Sequence, residues 1–200
     1  MLKDTNEVVH EACMFAQHIV VALDCMHETQ AMSMIFANKA NLPQFKIAPH
    51  FYLTSYHAME YRMQLEIIKL FDKSSRSFVN FEDDLKKNKW ITETDIDQFE
   101  SKWSLYENDI EAIRKRRNKV IAHSDAKYFR HPEIIFETNK IDLCHLEDLL
   151  QSMLGICNGI IQSYVKEGIP PLFSTFNGDD FVKLFDMETE AEQKLKQGIF

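Results

Sequence analysis

The chain reads as all-α, an antiparallel bundle of about five to six helices, and three features predict it. Glycine and proline are scarce, five of each in 200 residues, whereas methionine is plentiful at nine, a balance that favours helices over a turn-rich β fold. Apolar residues recur at steps of three and four, not two. Capping residues stand where the periodic segments begin.

Asp4, Thr5 and Asn6 offer N-caps for a first helix running to about Asn38, with Val9, Phe15, Ile19, Leu23, Met26 and Met34 among its apolar positions. Asn41-Leu42-Pro43 and Pro49 bracket a short connection. A second helix is expected from about His50 to Phe71, with Tyr52, Tyr56, Met59, Met63, Ile67 and Leu70 on one side. Lys73 to Ser77 is a polar break before a short helix near Phe78 to Lys87. Thr92 or Thr94 can cap the next helix, and Asp95 and Asp97 suit its positive end. That helix is expected to reach about His123. Ser124 to Lys140, with His131-Pro132, reads as a loop with a brief extended piece at Ile134-Ile135-Phe136. A fifth helix spans about Leu143 to Lys166 and stops at Gly168-Ile169-Pro170-Pro171. Asn177-Gly178-Asp179 starts a terminal helix. Residues 1–200 are expected to form one domain with a sizeable core, and 170–200 a C-terminal extension.

Composition excludes several functions. The longest apolar run, Ile19 to Leu23, is too short to span a bilayer. The start, Met1-Leu2-Lys3-Asp4-Thr5, lacks the pattern of a secretory signal, so a cytoplasmic location away from membranes is expected. Cys13, Cys25, Cys144 and Cys157 show no CxxC pairing and read as reduced, small core residues. The net charge of −8 argues against constitutive, electrostatically driven nucleic-acid binding. No Gly-rich phosphate loop, nucleophile elbow or paired Cys/His motif appears. Glu7 and His10 have the Glu-x-x-His spacing of di-iron bundles. Such a site needs a second copy, which is missing, so no metal or other cofactor is expected. The aromatics Phe78, Phe81, Trp90, Phe99 and Trp103 could stack bases, although at helical spacing they read as core.

The chemistry-bearing stretch is Arg117-Asn118-Lys119-Val120-Ile121-Ala122-His123. Upstream, Phe99, Trp103, Tyr106, Ile110, Ile113 and, beyond the motif's start, Val120 recur at steps of four and three, an apolar seam. Arg117 falls on that seam. A guanidinium cannot shed its charge, so it must meet an ion pair, a cleft or a subunit interface. His123, six residues on, lies about 120° away in ideal α-geometry. A tightened helix end would bring Arg117, Val120 and His123 onto one face. Arg beside an imidazole suits a phosphodiester, the first holding phosphate and the second moving a proton. A second reading stands beside it: Arg114 to Lys119 as a solvated basic face offsetting the helix dipole.

Arg117-Asn118, four further residues and His123 resemble the Arg-polar-x(3–5)-His signature of the HEPN superfamily. The stretch through Ser124 and Asp125 resembles the abortive-infection U-type branch of bacterial phage-defence proteins. The resemblance implies a HEPN-like helical domain that acts as a metal-independent endoribonuclease of toxin or phage-defence type. Its active site would form between two protomers of a homodimer. Arg117, Asn118 and His123 would then be catalytic, with Arg114, Arg116 and Lys119 steering RNA. Glu60, one turn from His57 on the second helix, fits the polar supporting residue such families often take from an earlier helix. RNA is the implied substrate and an antitoxin protein a further partner. The alternative is a non-catalytic HEPN-like dimer binding a nucleotide, RNA or a partner protein, which the acidic charge favours.

Overall fold

Three helix starts are held by the side chain their position calls for. Ser77 Oγ accepts a hydrogen bond from the Asn80 amide at 3.3 Å, and Thr92 Oγ1 accepts from the Asp95 amide at 3.2 Å. Asp142 Oδ1 accepts from the amides of Cys144 and His145 at 3.0 and 3.3 Å. Each cap satisfies amides that have no partner inside the helix. At the far end of one helix, Lys89 takes the left-handed conformation, φ 56°, and its amide closes onto Leu85 and Lys86 carbonyls.

A computed structural model describes residues 5–37, 48–71, 77–122 and 137–164. Five α-helices make up the described chain: α1 Thr5–Ala37, α2 Pro49–Phe71, α3 Phe78–Asn88, α4 Glu93–Arg116 and α5 Leu143–Tyr164. A π-helical segment, Arg117–Ala122, continues α4. No strand occurs among the described residues, and the all-α class holds. His123, the connection around Asn41 to Pro43, most of the polar break after Phe71, the piece at Ile134 to Phe136 and the terminal helix lie outside the described residues.

The described residues fall into two compact units. The first takes α1 up to Ala22, α2 from Gln64, and α3, α4 and α5. Its centre is an aromatic cluster in which Phe15 meets Phe78 at 5.4 Å and Phe81 at 5.0 Å, and Phe78 meets Phe99 at 5.3 Å. Phe15 is 8% exposed and the other three 3% or less. Burying such rings contributes on the order of 2–3 kcal/mol each, and edge-on pairs add about 1 kcal/mol. Phe78, Phe81 and Phe99 are therefore core, as their spacing indicated. Glu66 is fully buried in this unit; it accepts from Lys69 at 2.9 Å and faces His18 Nδ1 at 2.7 Å, which offsets the cost of a buried carboxylate.

The second unit is a hairpin of α1 from Leu23 and α2 up to Met63. Its core gathers Met32, Ile35 and Tyr52, with Phe36 and Tyr56 against them. Met34, expected among the apolar core positions, is 75% exposed, because at the end of α1 the buried face is taken by Met32 and Ile35. Likewise Val8 rather than Val9 is the fully buried residue of the first turns. By length and composition α1 is long and apolar enough to cross a membrane, which its longest apolar run does not reveal; 44% of that stretch is buried within the protein.

Candidate functional site

The seam of α4 is where its spacing placed it. Phe99, Ile110 and Ile113 are buried, and Trp103 and Tyr106 are half-buried. Arg117 is half-buried too, a charged group at the next seam position. Among the described residues its guanidinium makes no ion pair; Nη1 donates to Asn118 Oδ1 at 2.9 Å. Asn118 pins the guanidinium from the neighbouring residue, which fixes its orientation and leaves its other donors for a ligand.

The helix does not tighten here. Arg117 to Ala122 form a π-helical turn, in which hydrogen bonds run five residues instead of four. The tightening that would have put Arg117, Val120 and His123 on one face is not what the turn does. Arg114 Nη2 donates to the Phe71 carbonyl at 2.8 Å, and Arg116 Nε donates to the Asn139 carbonyl at 2.8 Å. Both acceptors lie outside α4, so the turn follows directly on two arginines held by long-range contacts. π-turns of this kind recur at functional sites.

The basic run is thus divided. Arg114 also pairs with Glu111 and closes the C-terminal end of α2, where a cation meets the negative pole of the helix. Arg116 ties the returning chain to α4. Lys119 is exposed. Glu60 belongs to the second unit and Arg117 to the first; Glu60 is half-buried, with His57 Nδ1 3.9 Å from its Oε2. Glu7 and His10 are both exposed. Among the described residues no group of three or more His, Cys, Asp or Glu side chains is placed to hold a metal ion.

A polar seam between α4 and α5 has no counterpart in the sequence reading. Lys102 Nζ bridges Asp148 and Ser152 at 2.7 Å each. Tyr106 donates to Asp148 at 3.1 Å, and its ring stacks on His145 at 4.8 Å. His145 in turn faces Asp109 at 3.4 Å and Asp142 at 3.7 Å. These pairs rise along α4 as they fall along α5, so the two helices run antiparallel. The hydrogen bond from Lys102 holds the Asp148 carboxyl below its ordinary 3.8. A carboxylate with a lowered folded value stabilises the fold above the unfolded value and loses that contribution as pH falls through the lowered one. Lys102→Met should therefore be less stable than the parent above pH 3.8, and the two should converge only as pH falls through the lowered value of Asp148, below 3.8. Parallel acid titrations followed by circular dichroism check this.

Cys13, Cys25 and Cys157 are buried or half-buried thiols, but Cys144 is exposed in the first turn of α5, not a core residue. Burial pushes the Cys157 thiol far up, helped by nearby Cys13, so it is an inert packing group.

The fold and the motif turn now stand together, and a family model described as HEPN AbiU2 matches residues 2–183. The chain belongs to the AbiU2 family of HEPN domains. The AbiU2 match covers Glu60, Arg114, Arg117, Asn118 and His123, and so the whole motif turn. A HEPN-type family of this kind points to a nuclease or defence-associated domain. No curated protein and no solved structure matches the chain.

Proposed function

We propose that this AbiU2 domain is a metal-independent endoribonuclease of toxin or phage-defence type, working at a site shared by two protomers. The observation that carries the reading is Arg117. It is a half-buried cation without an ion pair among the described residues, aligned by Asn118, on a π-turn six residues before His123.

Metal-free RNA cleavage needs a base, an acid and positive charge on the transition state. His123 takes the proton from the 2′-OH, whose oxygen attacks phosphorus. The bond to the 5′-oxygen breaks, and His123 of the partner subunit protonates that oxygen. Arg117 holds the non-bridging oxygens, with a grip that strengthens as charge develops. The products carry 2′,3′-cyclic phosphate and 5′-hydroxyl ends, and DNA is spared for want of a 2′-OH. Lys119, exposed beside Arg117, steers the RNA backbone together with Arg116.

The deciding experiment induces the protein in a bacterial host and maps new 5′-hydroxyl ends in total RNA. Ends that appear with the parent chain and vanish with His123→Ala support the reading. Growth arrest without new ends assigns the fold to a binding module instead. Purified protein should go on cleaving in EDTA, because no step calls for a metal. Cleavage that stops in EDTA and returns with Mg²⁺ or Mn²⁺ would overturn that part. Light scattering at micromolar concentration should give about twice the chain mass of 23.5 kDa. A strict monomer that still cleaves RNA removes the shared site.

A further inference from the structure

One groove of the first unit is untouched by the function proposed above. It has a volume of about 330 Å³ and lies between the end of α2, the start of α3 and the outer face of α4. That is the low end of the ~300–1,000 Å³ typical of small-molecule sites. Phe71 and Trp103 form one wall, stacked at 4.8 Å with their planes 16° apart. Asn80, Glu107, Glu111 and Arg114 supply the polar lining. Glu111 is occupied by Arg114. Glu107 is exposed and pairs with nothing among the described residues. Arg114 uses Nη1 for Glu111 and Nη2 for the Phe71 carbonyl, and so retains further N–H donors.

We infer that this groove binds a guanine base and, resting on the ribonuclease reading above, that it selects the base beside the cleaved phosphate. A flat aromatic wall takes any base. The polar lining is more selective, because it offers a carboxylate with no partner among the described residues and a guanidinium together. Guanine answers both, with two adjacent donors at N1 and N2 for Glu107 and two adjacent acceptors at O6 and N7 for Arg114. Uracil offers one donor, and adenine and cytosine place their amino group beside an acceptor. An arginine or lysine side chain brings donors alone and meets the charge of Arg114. A phosphate would be repelled by Glu107, so the base and not the backbone enters. Glu107 and Arg114 precede Arg117 by ten and three residues on the same helix, about 15 and 5 Å along its axis. A nucleotide or two spans that distance.

The test starts from binding, which does not depend on cleavage. Trp90 and Trp103 are the two tryptophans, so a Trp90→Phe chain reports on Trp103 alone. Titration with 5′-GMP should quench its fluorescence saturably, with a dissociation constant ~10- to 100-fold below those of 5′-AMP, 5′-CMP and 5′-UMP, the range expected for a charged hydrogen-bonding contact. Glu107→Gln should lose that preference, and because Glu107 is exposed the variant should fold, as circular dichroism will verify. Equal response to all four nucleotides, no response, or a preference that survives Glu107→Gln overturns the assignment. Saturable quenching by N-acetyl-arginine amide in place of GMP assigns the groove to a peptide and overturns it too. In RNA, cut sites should cluster beside guanosines and spread over all bases in Glu107→Gln. Selective GMP binding without any RNA cleavage upholds the groove and rejects the ribonuclease reading.

Discussion

Arg117→Ala and His123→Ala should each abolish RNA cleavage and leave a folded protein. Losing the proton-transfer group costs a factor of ~10²–10⁴, and losing a donor to the developing charge costs ~10²–10³. Stability should move by about 1 kcal/mol or less for Arg117→Ala. The reason is its setting. The guanidinium is half-buried and donates to Asn118, and no carboxylate among the described residues depends on it. Had it been one half of a buried ion pair, its removal would strand a charge at ~3–5 kcal/mol. Activity assays run beside thermal denaturation separate the outcomes. An inactive, unfolded Arg117→Ala would make this arginine a structural one.

The largest loss of stability should come from Lys86→Met. Glu82 is 2% exposed, and Lys86 Nζ lies 2.7 Å from its Oε1 while also reaching Glu100 on α4. Burial pushes the Glu82 carboxyl above its ordinary 4.5, and Lys86 opposes that rise. Burial also pulls Lys86 down, but its pairing with Glu100 and Glu82 outweighs this, and it ends raised. Removing the lysine leaves a buried carboxylate without its cation. We expect a loss of about 2–4 kcal/mol at pH 7, somewhat under the full ~3–5 kcal/mol because Lys86 is partly solvated and Glu82 can take up a proton. The sign with pH follows. A carboxyl with a raised folded value is most favourable below its unfolded value, near 4.5, and becomes a burden as pH rises through the folded one. Urea denaturation should therefore show the gap between Lys86→Met and the parent narrowing toward pH 4.5. The double variant with Glu82→Gln should recover most of the loss at pH 7.

What was legible in the sequence was local. Ser and Thr caps, the proline that opens α2 and the four-and-three seam of α4 all act within a turn or two of themselves, so helix starts fall within a residue or two of expectation. The all-α class and the motif's place near the end of α4 follow from the same signals. What escaped depends on partners far along the chain. Arg114 meets a carbonyl 43 residues away and Arg116 one 23 residues away, and no pattern inside Arg-Lys-Arg-Arg announces either. The polar seam of Tyr106, His145 and Asp148 spans more than 40 residues. The π-turn follows directly on these two anchored arginines, and ordinary helix ends give no sign of it. The aromatic pair Phe71 and Trp103 was half visible: Trp103 lay on the seam, but its stacking partner is set by how α2 ends against α4.

The π-turn also makes the motif sensitive to length in a way that side chains are not. A turn closed over five residues holds one residue more than its α-helical equivalent. Deleting any single position from Arg117 to Ala122 lets the backbone relax to ordinary pitch, and each residue of an α-helix turns the chain by about 100°. For a deletion after Arg117, the step to His123 would then fall from six residues to five. Within these six positions the motif is governed by count as well as by identity, so a single-codon deletion is a harsher change there than most replacements.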